Sequence, residues 1–251
     1  WAQTDADAQR LAQAGARVSG VAGNLKFDAQ PDAGQLAQAK AWRAGRKQPV
    51  VMFASSREGE EAEFFRLLKQ KQAPVHGGRA QGAINAVAPV VQWLVVPRHP
   101  QRFDAVAALA TQAGFTVGRR SAWTDRPAPA EVWIGDSLGE MTLYYGLADV
   151  ALLGGSFAPL GGQNLIEAAA CGCPVVMGPH TFNFSEAAQL AEAAGAAVRV
   201  ASLEEGVEQA VTIAAALARR EALSAAGLAF AAAHRGAAEK TARAVAALFR
   251  G

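Results

Sequence analysis

Residues 154–167, GGSFAPLGGQNLIE, combine bare backbone with side chains that can hold a ligand. Two glycine pairs follow an apolar run, and Asn164 and Glu167 stand where a helical pattern begins. Glycines directly before a helix allow a ligand to approach free N–H groups, where the helix dipole also favours an anion. The spacing matches neither a Walker loop nor the dinucleotide-binding fingerprint. A phosphate would be stabilised beside Gly162 and Asn164.

A purely structural role for such residues stays open. Asn164 is a good N-cap, and Glu167 three residues later completes a pattern close to a capping box. The segment SSREGEE (55–61) likewise favours the start of a helix, with capping as the expected role. Cys171 and Cys173 are predicted to be small packing residues.

The segments that must position these residues alternate between apolar runs and stretches with helical periodicity. Strands are predicted at residues 18–23, 49–55, 91–97, 115–119, 131–136, 149–155, 174–178 and 196–200. Helices are predicted at 4–15, 59–70, 101–114, 138–148, 163–172 and 185–195. The runs are continuously apolar, which indicates burial on both faces and a parallel, doubly wound sheet. The predicted fold is therefore a Rossmann-like α/β domain.

Beyond Val200 the sequence predicts two or three helices and no strand. The segment TARAVAALFR (241–250) could lie on a membrane surface, but a helix that closes the domain core is favoured. We divide the chain into an interdomain segment with a first strand (1–30), a Rossmann-like nucleotide-sugar domain (31–200) and C-terminal helices (201–251). Because the chain begins at Trp1 rather than Met, we expect it to be a fragment.

Composition narrows the functional classes. The 251 residues are 51% apolar and carry a net charge of +2 with scattered basic residues, which argues against a nucleic-acid binder. Two cysteines two residues apart and four histidines without metal-ligand spacing favour a reducing compartment and no metal site. No apolar run approaches a membrane span of about 18 residues, and no segment resembles a signal peptide.

Five loops with glycine or polar residues follow the predicted strands. They are residues 55–61, 97–102, 135–140, 154–164 and 178–184. Ligands of open α/β sheets bind outside the carboxyl ends of the strands, so the five loops should share one rim. His99 and His180, within these loops, are more typical of structural than of catalytic histidines.

Four segments carry a resemblance to a known family: ASSREGEE, VVPRHPQRF, GDSLGEMTLYYGLADVALLGGSF and GGQNLIEAAACGCPVVMGPHTFNF. In this order they resemble the 3-deoxy-D-manno-octulosonic acid (Kdo) transferases of lipopolysaccharide synthesis. GNLKFD (23–28) fits the start of the C-terminal half of these enzymes, and MGPHTFNF is highly specific because no general folding rule requires it. The resemblance extends from near residue 1 to roughly residue 200.

The resemblance implies a two-domain, inverting GT-B glycosyltransferase of which this chain is the C-terminal, donor-binding domain. Such an enzyme uses CMP-Kdo as donor and lipid A precursor as acceptor, without metal or other cofactor, at the cytoplasmic face of the inner membrane. Its catalytic base is a Glu of the N-terminal domain, so no catalytic residue is expected here. The implied nucleotide site comprises Pro97, Arg98, Leu138, Gly139, Glu140, Ser156, Gly162, Asn164, Leu165, Ile166 and Glu167.

Within that site Glu167 is expected to accept the ribose hydroxyls, Arg98 to lie near the nucleotide and the Asn164 turn to lie under the phosphate. The chain departs from the family at Gln163 and at Arg57, where histidines are usual. Two other classes stay open. One is another enzyme of this fold, a heptosyltransferase or a UDP-sugar epimerase; the other is a non-catalytic nucleotide-binding or interaction module.

Overall fold

The computed structural model describes residues 1–28, 30–72 and 91–249. A sheet of seven strands, all parallel, lies at its centre in the order β3-β4-β2-β1-β5-β6-β7. The strands are β1 (Val50–Ser56), β2 (Gln92–Pro97), β3 (Val117–Arg119), β4 (Val132–Ile134), β5 (Val150–Leu153), β6 (Val175–Met177) and β7 (Ala197–Arg199). The predicted parallel, Rossmann-like sheet is confirmed.

Helices cover both faces of the sheet. Those that precede or connect the strands are α1 (Asp5–Gln13), α2 (Ala33–Arg43), α3 (Glu60–Gln72), α4 (Phe103–Gln112), α5 (Met141–Leu147), α6 (Ile166–Ala170) and α7 (Ser185–Ala193). Three more follow the last strand: α8 (Leu203–Ala215), α9 (Leu217–Ala233) and α10 (Ala237–Leu248). Helix α8 packs on the sheet, α9 on α6, and α10 on the turn at Leu25–Asp28. Val245, Leu248 and Phe249 of the last segment are exposed, so this segment does not close the core.

Strand β1 shows why the apolar runs are continuous. Met52 and Ala54 point into the core that α2, α5, α6, α7 and α9 cover, whereas Val51 and Phe53 point into the core under α3, α4 and α8. All four side chains are fully buried. Burial of a side chain as large as Phe53 contributes about 1.5–3 kcal/mol relative to exposure, so a strand that is apolar on both faces is stable only between two helical layers.

The sheet has a topological switch point between β1 and β5. From β1 the chain adds β2, β3 and β4 on one side, with β4 between β2 and β3, and it later adds β5, β6 and β7 on the other. The loops after β1 and β5 therefore run to opposite faces and leave a crevice between them, which is where open α/β sheets bind ligands.

Two local predictions were wrong, and one helix was missed. Residues 18–23 form one isolated bridge, Val21 with Ala2, and no sheet strand, since two glycines weaken this short segment. Helix α2 was missed, although Asp32 caps it by accepting the Gln35 N–H at 2.8 Å. Helix α6 has only five residues rather than the ten predicted.

Candidate functional site

The crevice begins at a strained turn at the end of β1. Ser55 has a φ of 52°, a left-handed backbone conformation that is uncommon outside glycine. The pairing of β1 with β2 shifts register between Ala54 and Ser56 at the same place. Strain of this kind persists only where the surroundings impose it and is frequent at functional sites. Here it sets the direction in which the chain leaves β1 at Arg57.

A buried carboxylate, Glu60, ties the loop after β1 to the glycine-rich loop after β5. Its side chain is 4% exposed and accepts the Gly155 N–H at 2.8 and 2.9 Å. It also accepts the Arg57 N–H at 3.0 Å and the Ala158 N–H at 3.4 Å. Burial raises its pKa, while these N–H groups oppose that shift. The sequence predicted helix capping at this acidic cluster, and the Arg57 contact is of that type, but Glu60 mainly holds two loops together.

The neighbouring serine and glutamate differ from the capping prediction. Ser56 does not cap helix α3; it donates to Glu61 Oε1 at 3.2 Å. Glu61 is fully buried and accepts from Arg102 Nη2 at 3.1 Å. Burial raises the pKa of Glu61, and the charge of Arg102 opposes that shift. The first turn of α3 is therefore a buried network rather than a solvated acidic helix start.

A second set of contacts joins the glycine-rich loop to the loop after β6. The Ser156 side chain is fully buried and accepts the Gly178 N–H at 2.8 Å. The Asn183 N–H donates to the Gly161 carbonyl at 3.0 Å, and its side chain donates to the Leu160 carbonyl at 3.1 Å. A Cβ on Gly161 would collide with Asn183, so only glycine fits there. The three loops after β1, β5 and β6 form one connected rim.

The turn into helix α6 presents backbone donors to this rim. Asn164 Oδ1 accepts the Ile166 N–H at 3.0 Å, two residues on, so Asn164 caps a local turn and Leu165 is the N-cap of the helix. Within the described part of the chain, the N–H groups of residues 163–165 donate to no protein acceptor. Helix α6 is too short for a large dipole, so anion binding here depends on these N–H groups themselves.

Glu167 lies in the first turn of α6, half-buried beside these donors. Among the described residues its carboxylate has no hydrogen-bond or ion-pair partner, and it does not reach back to close a capping box on Asn164. Burial alone raises its pKa. A partly desolvated carboxylate without partners gains when it accepts hydrogen bonds, and two adjacent hydroxyl groups suit its geometry.

Arg98 joins the loop after β2 to the same corner. Its Nε donates to Gln163 Oε1 at 3.2 Å, and its guanidinium is exposed. Pro97 is buried and pairs with Ser56 at the end of the strand. The structure thus brings Arg98, Gln163 and the Asn164 turn together, as the rule for open sheets predicts.

The predicted site residues after β4 differ in character. Glu140 is engaged by Arg120 at 2.7 Å and by the Ser137 hydroxyl. The Gly139 carbonyl accepts from Gln35 Nε2 at 2.8 Å, whereas Leu138 is 73% exposed. The carboxylate of Glu140 is therefore already satisfied within the protein.

Predicted side chains that the structure buries cannot touch a ligand directly. Besides Pro97, these are Ser156, Leu165 and Ile166, of which the last three are each at most 1% exposed. For Ser156 and Ile166 the structure shows internal hydrogen bonds, and at Leu165 only the backbone N–H is available. Cys173 lies in the core and Cys171 packs against it, which confirms their packing role; burial raises the pKa of Cys171 to about 12.

The sequence did not reveal how four residues shape the rim: Ser55, Gln35, Arg120 and Glu60, which bridges two loops. Only Gln35 had a local signal, because it follows the Asp32 N-cap by three residues. Across residues 1–28, 30–72 and 91–249, no three His, Cys, Asp or Glu side chains cluster as metal ligands. None of the helices in that part of the chain is long and apolar enough to cross a bilayer.

Known proteins share this sequence and fold. A 3-deoxy-D-manno-octulosonic acid transferase of Bordetella pertussis is 48% identical over 241 residues, covering 96% of this chain and 54% of that protein. A protein of the same name from Haemophilus influenzae is 33% identical over 76% of this chain and 42% of that protein. The chain thus spans about half the length of these curated relatives. No protein-family model matches it.

Among solved structures, the C-terminal CMP-Kdo binding domain of WaaA from Acinetobacter baumannii superposes with a TM-score of 0.67 at 27% identity. The match covers 79% of this chain and 98% of that domain. Anabaena HepE, solved in complex with UDP-glucose, superposes with a TM-score of 0.58 at 14% identity, covering 100% of this chain and 63% of that one. The latter similarity establishes the fold alone.

Proposed function

We propose, from the premise that this chain belongs to the 3-deoxy-D-manno-octulosonic acid transferase family, that it binds the CMP-Kdo donor of an inverting glycosyltransferase. The observation that carries this proposal is the corner formed by Glu167, the free N–H groups of residues 163–165 and Arg98. In the proposed complex Glu167 accepts the ribose hydroxyls. The phosphate lies against the N–H groups and near Arg98.

The remaining predicted residues take different parts in this proposal. Gly162 holds the glycine-rich loop, since its N–H donates to the Gly155 carbonyl at 2.8 Å, and Leu165 contributes its backbone N–H. Ser156, Ile166 and Pro97 shape the rim from below, since their side chains are buried. Leu138, Gly139 and Glu140 border the nucleotide through backbone and the exposed Leu138 side chain, because the Glu140 carboxylate is held by Arg120.

The chemistry of transfer fits a chain that holds the donor phosphate while another domain supplies the base. When an acceptor hydroxyl attacks the anomeric carbon, CMP leaves and negative charge grows on its phosphate. Preorganised N–H groups and a guanidinium at that position stabilise the developing charge without reorganisation of solvent. The base that deprotonates the acceptor lies, in this proposal, in an N-terminal domain of the full-length protein. Lipid A precursor and the cytoplasmic face of the inner membrane are likewise proposed for the full-length protein.

Calorimetric titration of the chain with CMP, ADP and UDP tests the proposal. We expect CMP to bind most tightly, and preference for UDP or ADP would assign the chain to a different nucleotide-sugar enzyme. A second assay supplies CMP-Kdo and lipid A precursor to the chain alone. Binding without transfer is expected; transfer by this chain alone would refute the proposed location of the base.

A further inference from the structure

Two arginines occupy equivalent positions after two adjacent strands of the sheet. Ser56 and Pro97 are paired at the carboxyl ends of β1 and β2, and Arg57 and Arg98 are the residues that follow them. The Arg98 N–H donates to the Ser56 carbonyl at 3.0 Å, which holds the two backbones side by side. Both side chains therefore start from the same edge of the sheet, at the carboxyl ends of two adjacent strands.

Gln163 and Gly155 fix where these side chains run. A Cβ built on Gly155 would lie 3.5 Å from Arg57 Cγ and 3.3 Å from Gln163 Nε2, so both side chains flank that glycine. The other end of the Gln163 amide accepts from Arg98 Nε at 3.2 Å. Gly155 has a φ of 69° and no side chain, so bare backbone lies between Arg57 and Gln163.

The charges around this group are unbalanced. Arg102, in the same loop as Arg98, is neutralised by Glu61 at 3.1 Å and Glu58 at 3.4 Å. In the part of the chain that the structure describes, neither the Arg57 nor the Arg98 guanidinium has a carboxylate within 4.0 Å. Glu60 is directed to the backbone N–H groups of Arg57 and Gly155. Two guanidinium groups without a carboxylate partner thus follow the ends of two adjacent strands.

We propose that Arg57 and Arg98 form a clamp for a ligand that carries two adjacent anionic groups. This inference rests on the proposed function and extends it to the sugar. In a nucleotide ester of a 2-keto sugar acid, the anomeric carbon bears both the phosphate oxygen and a carboxylate. Arg98 pairs with the phosphate, and Arg57 pairs with the sugar carboxylate. Guanidinium groups suit both anions because they donate two parallel hydrogen bonds.

Gln163 acts here as a positioning residue. Its Oε1 holds Arg98 Nε, which leaves the outer nitrogens of that guanidinium for the ligand. Arg57 and Gln163 flank the same glycine, Gly155. The clamp therefore makes Arg57 a specificity-determining residue that selects acidic over neutral sugars.

The test compares two ligands that share a cytidine phosphodiester but differ in the attached group: CMP-Kdo, which carries the sugar acid, and the methyl ester of CMP, which carries no sugar. Equilibrium titration of the chain gives the ratio of their dissociation constants. We expect Arg57→Gln to weaken the binding of CMP-Kdo by about tenfold and the binding of the methyl ester by less than about threefold. The reason is that only the sugar acid can form a charge-assisted pair with Arg57. Arg57→Lys should retain part of the preference.

Arg66→Gln is the matched control, because it removes the same charge from an exposed arginine of α3 that pairs with Glu63. If Arg57→Gln leaves the ratio of the two dissociation constants unchanged, including by an equal loss for both ligands, the clamp is overturned. Binding of the methyl ester by the wild type would in that case still support the donor site. If the wild type binds neither ligand, the donor site and the clamp both fail. Should Arg57→Gln not fold, Arg57→Met gives the same comparison.

Discussion

Glu140 lies at the start of helix α5 and Glu167 at the start of helix α6. The two helices contact each other on the same edge of the sheet, yet the surroundings of the two carboxylates differ. Glu140 is held by Arg120 and Ser137, whereas Glu167 has no partner among the described residues. Two glutamates of one predicted site can therefore have different roles: Glu140 stabilises the fold, whereas the Glu167 carboxylate is available to a ligand. Removal of each should therefore affect different quantities.

The largest effect is expected at Glu60, which supports the side of the rim that holds Glu167. Glu60→Ala leaves the buried N–H groups of Gly155 and Ala158 without an acceptor and should lower the free energy of unfolding by about 2–4 kcal/mol. Denaturant titration measures this. Glu63→Ala, on the exposed face of the same helix, should change it by less than about 0.5 kcal/mol. Equal effects of both variants would contradict the bridging role.

Glu167→Ala should lower the affinity for CMP by about 1–3 kcal/mol, because the ribose hydroxyls lose their acceptor. Its stability at neutral pH should not fall, since the carboxylate is partly desolvated and makes no compensating contact. Calorimetry and denaturant titration of the same variant separate the two quantities. A stability loss with unchanged CMP affinity would reverse the roles assigned to the two glutamates.

Glu140→Ala should behave in the opposite way. Loss of the Arg120 contact at 2.7 Å should cost about 1–2 kcal/mol of unfolding free energy, because that guanidinium already has one buried nitrogen, Nε, without a partner. CMP affinity should change by less than about threefold. A loss of affinity as large as that of Glu167→Ala would show that the two halves of the rim contribute alike.

The smallest effect is a pH dependence specific to Glu167. Burial raises its pKa in the free protein, and ribose hydroxyls favour its ionised form, so binding releases a proton when the pH lies below that raised pKa. The affinity advantage of the wild type over Glu167→Gln should therefore shrink as the pH falls from about 7 toward about 5. Titration of both proteins at several pH values measures it, and a constant advantage would contradict the account.

Much of this arrangement could be predicted from the sequence, because it depends on local patterns. The strands from β1 to β7 follow from continuous apolar runs, and the rim follows from parallel strands that end at one edge. The nucleotide-binding roles of Glu167 and Arg98 came from the resemblance to the family. Resemblance to the family supplied the nucleotide, which no physical pattern in the chain specifies.

What the sequence could not show depends on contacts between distant segments. Gly155, which Glu60 binds, is 95 residues away, and Gln35 holds Gly139 across 104 residues. The left-handed Ser55 follows from packing at the switch point rather than from its residue type. Residues 163–172 were predicted as a full helix because the apolar pattern is helical, whereas Asn164 binds its own turn and delays the helix to Ile166.

A crystal structure of this chain with CMP tests the central claim most directly. The account predicts the ribose hydroxyls within hydrogen-bond distance of the Glu167 carboxylate. It also predicts the phosphate against the N–H groups of residues 163–165, within reach of Arg98. A nucleotide bound elsewhere on the chain, or bound with Glu167 facing no ligand atom, would contradict it.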